Sequence, residues 1–198
     1  MLKIELMNLG VYWVNAYIIR DESSTSCCIL DPGGHPKKVL DYLEKNNLTL
    51  EAILLTHGHF DHVGGVKAIA EATGCKVYMN PADQAMPEKL TAGPLYFTDS
   101  YGEGDQLNLS GLTIDVIHTP GHTPGSVCLL CEDALFSGDT LFARSCGRTD
   151  LAGGDPEAMT ASLHRLAALD KDYRVFPGHN SATTLALEKE YNPYERFP

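Results

Sequence analysis

The stretch Leu54-Leu55-Thr56-His57-Gly58-His59-Phe60-Asp61-His62 ends an apolar run on three histidines and an aspartate within six positions. Imidazole nitrogens and a carboxylate oxygen are good donors to a borderline or moderately hard divalent cation, and a tight loop leaving a strand aims alternate side chains inward. His57 and His59 then share one target. Asp61 and His62, at the start of a following helix, turn towards a neighbouring point, so the spacing predicts two metal ions side by side.

Further candidate ligands follow other apolar segments. His122 lies in Thr119-Pro120-Gly121-His122-Thr123-Pro124-Gly125-Ser126, Asp139 in Phe136-Ser137-Gly138-Asp139-Thr140, and His179 in Pro177-Gly178-His179-Asn180. Each comes just after a segment read as a strand: Ala52 to Leu55, Leu112 to His118, Ala134 to Ser137 and Tyr173 to Phe176. Four strand ends can converge on one rim.

The pattern His57-x-His59-x-Asp61-His62, with His122, Asp139 and His179 following in order, resembles the signature of the metallo-β-lactamase fold superfamily. The wording around Asp139 and Cys146-Gly147-Arg148-Thr149-Asp150 is most similar to short bacterial glyoxalase II-like hydrolases. The resemblance covers essentially the whole chain and implies a four-layer αββα sandwich with the site between two sheets. It also implies that His57, His59 and His122 hold one metal, that Asp61, His62 and His179 hold the second, and that Asp139 bridges them.

Two adjacent cations would lower the pKa of a shared water towards neutrality and present hydroxide to a carbonyl. The implied reaction is hydrolysis of a small-molecule thioester such as S-D-lactoylglutathione, with Asp61 and Asp139 as the catalytic carboxylates. An all-nitrogen-and-oxygen donor set puts zinc first, with iron and manganese as the other candidates. The resemblance extends to persulfide dioxygenases, which use one iron and oxygen. A nuclease is disfavoured by the acidic charge, and the flavin-linked reductases of this fold carry a carboxylate where His59 stands. A binding module would lack ligands, and none is missing.

Around the ligands, Asp31 in Asp31-Pro32-Gly33-Gly34 either caps a turn or accepts the free N–H of a ligand histidine, and the second role is favoured because ligand histidines usually have such a partner. His118, on the apolar face of its strand, reads as a buried, hydrogen-bonded histidine beside the ligands rather than a seventh ligand. Arg148 either holds an anionic part of the substrate or pairs with Asp150. The weakly patterned segment Asn80 to Gly111 starts with a helix over Pro81 to Leu90 and carries aromatics. Its loop, about residues 91–104, is either a lid or filler, and Leu95, Tyr96 or Phe97 is expected to border the substrate pocket.

The chain as a whole is 198 residues, 43% hydrophobic and 21% charged, with a net charge of −11. This suits one buried domain spanning 1–198. The sequence ends shortly after Asn192-Pro193, so the C-terminal helical domain by which glyoxalase II binds glutathione is expected to be absent. Strong acidity argues against nucleic acid or anionic membrane as partner. Lys3, Glu5, Asn8 and Asn15 interrupt any signal-like apolar segment, so a cytoplasmic location and reduced cysteines are expected. Cys128 and Cys131 form a C-x-x-C, but on a strand an offset of three puts them on opposite faces. Oligomeric state is not readable.

Overall fold

A computed structural model describes residues 1–193. Residues 194–198, which fall within the expected domain, lie outside that description. The strands Val14–Asp21, Ser26–Leu30 and Thr49–Leu54 are apolar at consecutive rather than alternate positions, a pattern suited to sheets covered on both faces. They form the middle of a six-stranded sheet with Leu2–Leu9 on one side and Lys76–Met79 and Asp99–Ser100 on the other, in the order β1 to β6 along the chain. The β1–β2–β3 part is antiparallel, whereas β3 to β6 run parallel.

Two of the parallel crossovers are covered by helices. Pro36–Lys45 (α1) joins β3 to β4, and Phe60–Val63 (α2) and Val66–Thr73 (α3) join β4 to β5. Pro36 suits the first turn because its missing N–H needs no partner there. Gly74 ends α3 in the left-handed region at φ 71°. Alternation along each strand then divides the core. Ile18, Ile29 and Ile53 face Val39, Leu43, Val66 and Ile69 on the helices, while Ile19, Leu30 and Leu54 face the second sheet.

That second sheet is built from Gln106–Leu109 (β7), Leu112–His118 (β8), Val127–Cys131 (β9), Ala134–Gly138 (β10), Arg174–Pro177 (β13) and Thr183–Thr184 (β14). A separate small hairpin, Leu141–Phe142 (β11) and Ser145–Cys146 (β12), follows β10. Phe136 fills the space between the sheets, its ring 5.4 Å from both Tyr17 and Phe176. Fully burying such a side chain contributes about 1.5–3 kcal/mol. Helix Pro156–Ala167 (α5) lays Met159, Leu163 and Leu166 on the outer face against Leu135 and Val175. Asp155 caps it, accepting from the amides of Glu157 and Ala158. Cys128 packs in this outer layer and Cys131 between the sheets, so the C-x-x-C thiols face apart.

Two helical segments differ from the reading of the sequence. The helix after the histidine loop is split at Gly64-Gly65. Cβ atoms there would lie 2.7 Å from the Gly33 carbonyl oxygen and 2.6 Å from that of Pro32, so bare backbone lets the Asp31–Gly34 turn close on the ligand helix. The expected helix over Pro81 to Leu90 is instead a 3-10 turn, Pro81–Ala85, and a single turn, Glu88–Thr91 (α4). Met86 and Pro87 between them are extended, as a residue preceding proline tends to be. Helix Leu185–Tyr191 (α6) is the last described element, and no helix among the described residues is long and apolar enough to cross a membrane.

Candidate metal centre

The ligand loops follow the carboxyl ends of β4, β8, β10 and β13, which bring residues from both sheets to one rim. Candidate donor atoms of His57, His59 and His122 lie within 4.8 Å of one another, as do those of Asp61, His62 and His179, and of His57, His62 and Asp139. Asp139 stands between the groups. Its Oδ1 is 3.4 Å from His62 Nε2, while its Oδ2 is 3.5 Å from His122 Nε2 and 3.7 Å from His179 Nε2. His59 Nδ1 and His122 Nε2 approach to 2.9 Å, and His179 Nε2 lies 3.3 Å from Asp61 Oδ2.

These groups fit a cation better than they fit each other. His57 Nε2, His59 Nε2, His62 Nε2 and Asp139 Oδ1 are buried with no hydrogen-bond partner, an arrangement that native interiors rarely tolerate without an ion or water to satisfy it. The opposite ring nitrogens of three ligand histidines are occupied. Thr56 Oγ1 gives its proton to Asp31 Oδ2 at 2.6 Å and so accepts from His57 Nδ1 at 3.1 Å. His62 Nδ1 donates to Asp31 Oδ2 at 3.0 Å, and His122 Nδ1 to the Arg148 carbonyl at 2.8 Å. Each bond places a proton on Nδ1, so that the ring, once neutral, presents its Nε2 lone pair to a metal. Gly178 has no side chain where a Cβ would crowd His62 Cε1 at 2.7 Å.

Protonation differs across the centre. Burial, reinforced by the neighbouring imidazoles, pushes His57 well below its ordinary value and His59 down to about 4. Burial opposes the charged form of His62 too, but Asp139 and Asp31 outweigh it and lift the ring to about 9. Burial raises Asp61, and the hydrogen bond from His179 together with the His62 charge overcomes this and leaves it at about 2.

The centre floors a cleft of about 630 Å³. Tyr12, Phe60, Leu90, Phe142 and Leu151 form apolar parts of its wall, and Cys146 and Arg148 also reach it. Arg148 is not poised towards a ligand: its guanidinium makes two bonds to Asp150, at 2.7 and 2.8 Å, and its backbone carbonyl is what touches His122. Tyr96 and Phe97 do not line the cleft. Thr98 pairs with Val77, which holds this segment along β5, so Phe97 packs into the outer core and Tyr96 points to solvent. His118 is half-buried, and its Nε2 bonds the Pro124 carbonyl at 2.8 Å, bracing the His122 loop without touching a ligand.

Two polar residues that the sequence reading passed over join the ligand loops. Asp83, fully buried in the Pro81–Ala85 turn, accepts from the amides of Gly58 and Gly125 and from Thr123 Oγ1. Asn15, on β2, reaches the carbonyls around His179. Neither carries a sequence signal, since bonds to backbone impose no residue pattern on their partners. Tyr12 had one: Val11-Tyr12-Trp13 places consecutive apolar residues after a turn glycine, where a hairpin tip leaves them exposed.

The sequence profile of the metallo-beta-lactamase superfamily matches residues 9–179. The chain is 36% identical to a probable metallo-hydrolase, YqgX, of Bacillus subtilis, over 98% of this chain and 97% of that one. It is 32% identical to hydroxyacylglutathione hydrolase GloC of Haemophilus influenzae, over 98% of each. Among solved structures, the BLEG-1 B3 metallo-beta-lactamase superposes with a TM-score of 0.87 at 36% identity, covering 98% of this chain and 99% of that one. TTHA1623 in a di-iron-bound form gives 0.85 at 39%, covering 96% and 99%. ETHE1 from Myxococcus xanthus gives 0.81 at 29%, covering 98% and 88%. The chain therefore belongs to the metallo-beta-lactamase superfamily, as a metal-binding protein of the metallo-hydrolase type.

Proposed function

We propose that this protein is a dinuclear metal-dependent thioesterase acting on a small acyl-thiol such as S-D-lactoylglutathione. The observation that carries the reading is Asp139, whose two oxygens face ligands of different groups on the floor of an open cleft. His57, His59 and His122 would hold one divalent cation, Asp61, His62 and His179 the other, and Asp139 both. Bound there, the pair would supply a hydroxide nucleophile at neutral pH and polarise the acyl carbonyl.

The chain's own residues do the rest. Phe142 and Leu151 wall the cleft with apolar surface, and a thioester needs no strong general acid because its thiolate leaves readily. Asp31 and the Arg148 carbonyl hold the His62 and His122 rings in the ligating tautomer. Arg148 is the cation available to an anionic carrier, provided the substrate displaces Asp150. Likeness to a hydroxyacylglutathione hydrolase at 32% identity supports the substrate class. Zinc is the preferred metal, and the di-iron form of a 39% identical structure keeps iron in contention.

Purified protein loaded in turn with zinc, iron and manganese should hydrolyse S-D-lactoylglutathione in a metal-dependent way. Protein holding two ions and cleaving no thioester would overturn the assignment. Persulfide oxidation is the rival reading, favoured by the likeness to ETHE1. It requires a single bound iron and stoichiometric oxygen consumption.

A further inference from the structure

Ligand side chains on four loops from two sheets need those loops fixed relative to one another. We infer that two residues outside the ligand set do this separately for the two metal positions. Asp83 joins the loops of the His57–His59–His122 group, and Asn15 holds the loop of His179, the second-sheet member of the Asp61–His62–His179 group. The inference rests on the two-ion reading above.

Asp83 sits on the first-sheet side and is 0% exposed. Its Oδ2 accepts from the Gly58 amide at 2.7 Å, between His57 and His59, and from Thr123 Oγ1 at 3.0 Å, next to His122. Its Oδ1 accepts from the Gly125 amide at 2.6 Å, in the same second-sheet loop. One carboxylate thus ties together the loops that carry all three ligands of the first group. The contact is close enough that a Cβ on Gly125 would lie 2.7 Å from the Asp83 carboxyl carbon. A buried carboxylate costs desolvation free energy, which three converging donors offset in part. The isosteric amide would have to turn an NH₂ towards at least one of those donors.

Asn15 is 5% exposed on β2, also in the first sheet. Its backbone amide bonds the Gly178 carbonyl at 2.8 Å, and its Nδ2 donates to the carbonyls of Pro177 at 3.0 Å and Asn180 at 2.8 Å. Its Oδ1 accepts from Asn8 Nδ2, which sets the orientation of the amide. The carbonyls it binds bracket His179, and Tyr17 adds a further bond to that of Pro177 at 2.7 Å. Asp83 bonds nothing in the His179 loop, and Asn15 bonds nothing in the loops of the first group. Both are positioning residues, since neither touches a ligand side chain.

A general loss of rigidity would weaken both metal positions, whereas separate clamps would weaken one each. The test measures zinc affinity by competition with a chromophoric chelator in two backgrounds: His179→Ala, which keeps the first group, and His59→Ala, which keeps the second. Asp83→Asn should weaken zinc about 10–100-fold in the His179→Ala background, the usual cost of losing an outer-shell partner, and leave the His59→Ala background unchanged. Asn15→Ala should do the reverse. Circular dichroism of the metal-free proteins checks folding, and if Asp83→Asn or Asn15→Ala unfolds, Thr123→Val and Tyr17→Phe remove one bond from each clamp with the same expected selectivity. Equal weakening of both backgrounds, or no weakening of the matched one, would overturn the inference while leaving the two-ion centre standing. Unsubstituted protein that takes up one zinc in the same competition would overturn the two-ion reading and the inference with it.

Discussion

The His57–His59–His122 half of the centre is three imidazoles, whereas the Asp61–His62–His179 half is two imidazoles and a carboxylate, and the two differ in charge. In the first half the three imidazoles are at most 5% exposed, and burial keeps His57 and His59 neutral well below pH 7. In the second half Asp61 and His179 keep side-chain exposures of 18% and 23%, and His62 lies between Asp31 and Asp139, which hold a proton on it. The first half is the drier one, with two rings whose charged form burial disfavours. The second is an ion-paired cluster that must give up a proton before a cation enters, so the two halves are not equivalent sites.

Removing the residue common to both halves has the largest expected effect. Asp139→Ala should reduce thioester hydrolysis by on the order of 10²–10³-fold or more, comparable with losing a main electrostatic element of a catalytic site. It should also lower the zinc content measured by atomic absorption, and full activity with unchanged metal content would remove Asp139 from the mechanism. A smaller change should separate the halves. Asp31→Asn keeps the shape but not the charge beside His62, which Asp31 bonds directly, and reaches His57 only through Thr56, so it should weaken the second metal position about 10–100-fold and the first less in a chelator competition.

The proton difference gives a pH signature. His62, raised from 6.5 to about 9, gives the metal-free fold a stabilising charge pair that is fully present below pH 6.5 and lost as pH rises through about 9. A cation entering this half at pH 7 must release that proton, so its affinity should rise by about tenfold per pH unit and level off above about 9. In the first half His59, at about 4, and His57, also depressed, hold no proton to release near pH 7, so binding there should depend less on pH than in the second half. Calorimetry in buffers of different ionisation enthalpy would show the proton release, and equal release from both halves would break the comparison. The smallest expected effect is at Arg148, exposed and paired with Asp150. Arg148→Ala should leave the midpoint of urea unfolding essentially unchanged, because solvent screens an exposed ion pair.

The ligand loops were legible because each histidine or aspartate follows an apolar strand and the spacing of His57, His59, Asp61 and His62 leaves few other readings. The layered core was legible from strands without polar alternation, such as Val14–Asp21. What the sequence did not disclose are interactions with backbone. Asp83 and Asn15 bond mostly backbone amides and carbonyls, which nearly every residue possesses, so those partners carry no signature. The cleft wall was hidden for a different reason. Aromatic residues occur both at Tyr96-Phe97 and at Tyr12, and only the pairing of Thr98 with Val77 and of Tyr12 with Phe60 decides which of them meets the site.

The most direct test of the account is a zinc titration of metal-free protein with thioester hydrolysis followed at each addition. Two tightly bound ions per chain, with hydrolysis reaching its maximum at the second, is the predicted result. Saturation at one ion, or two ions bound with no thioester cleaved, would contradict it.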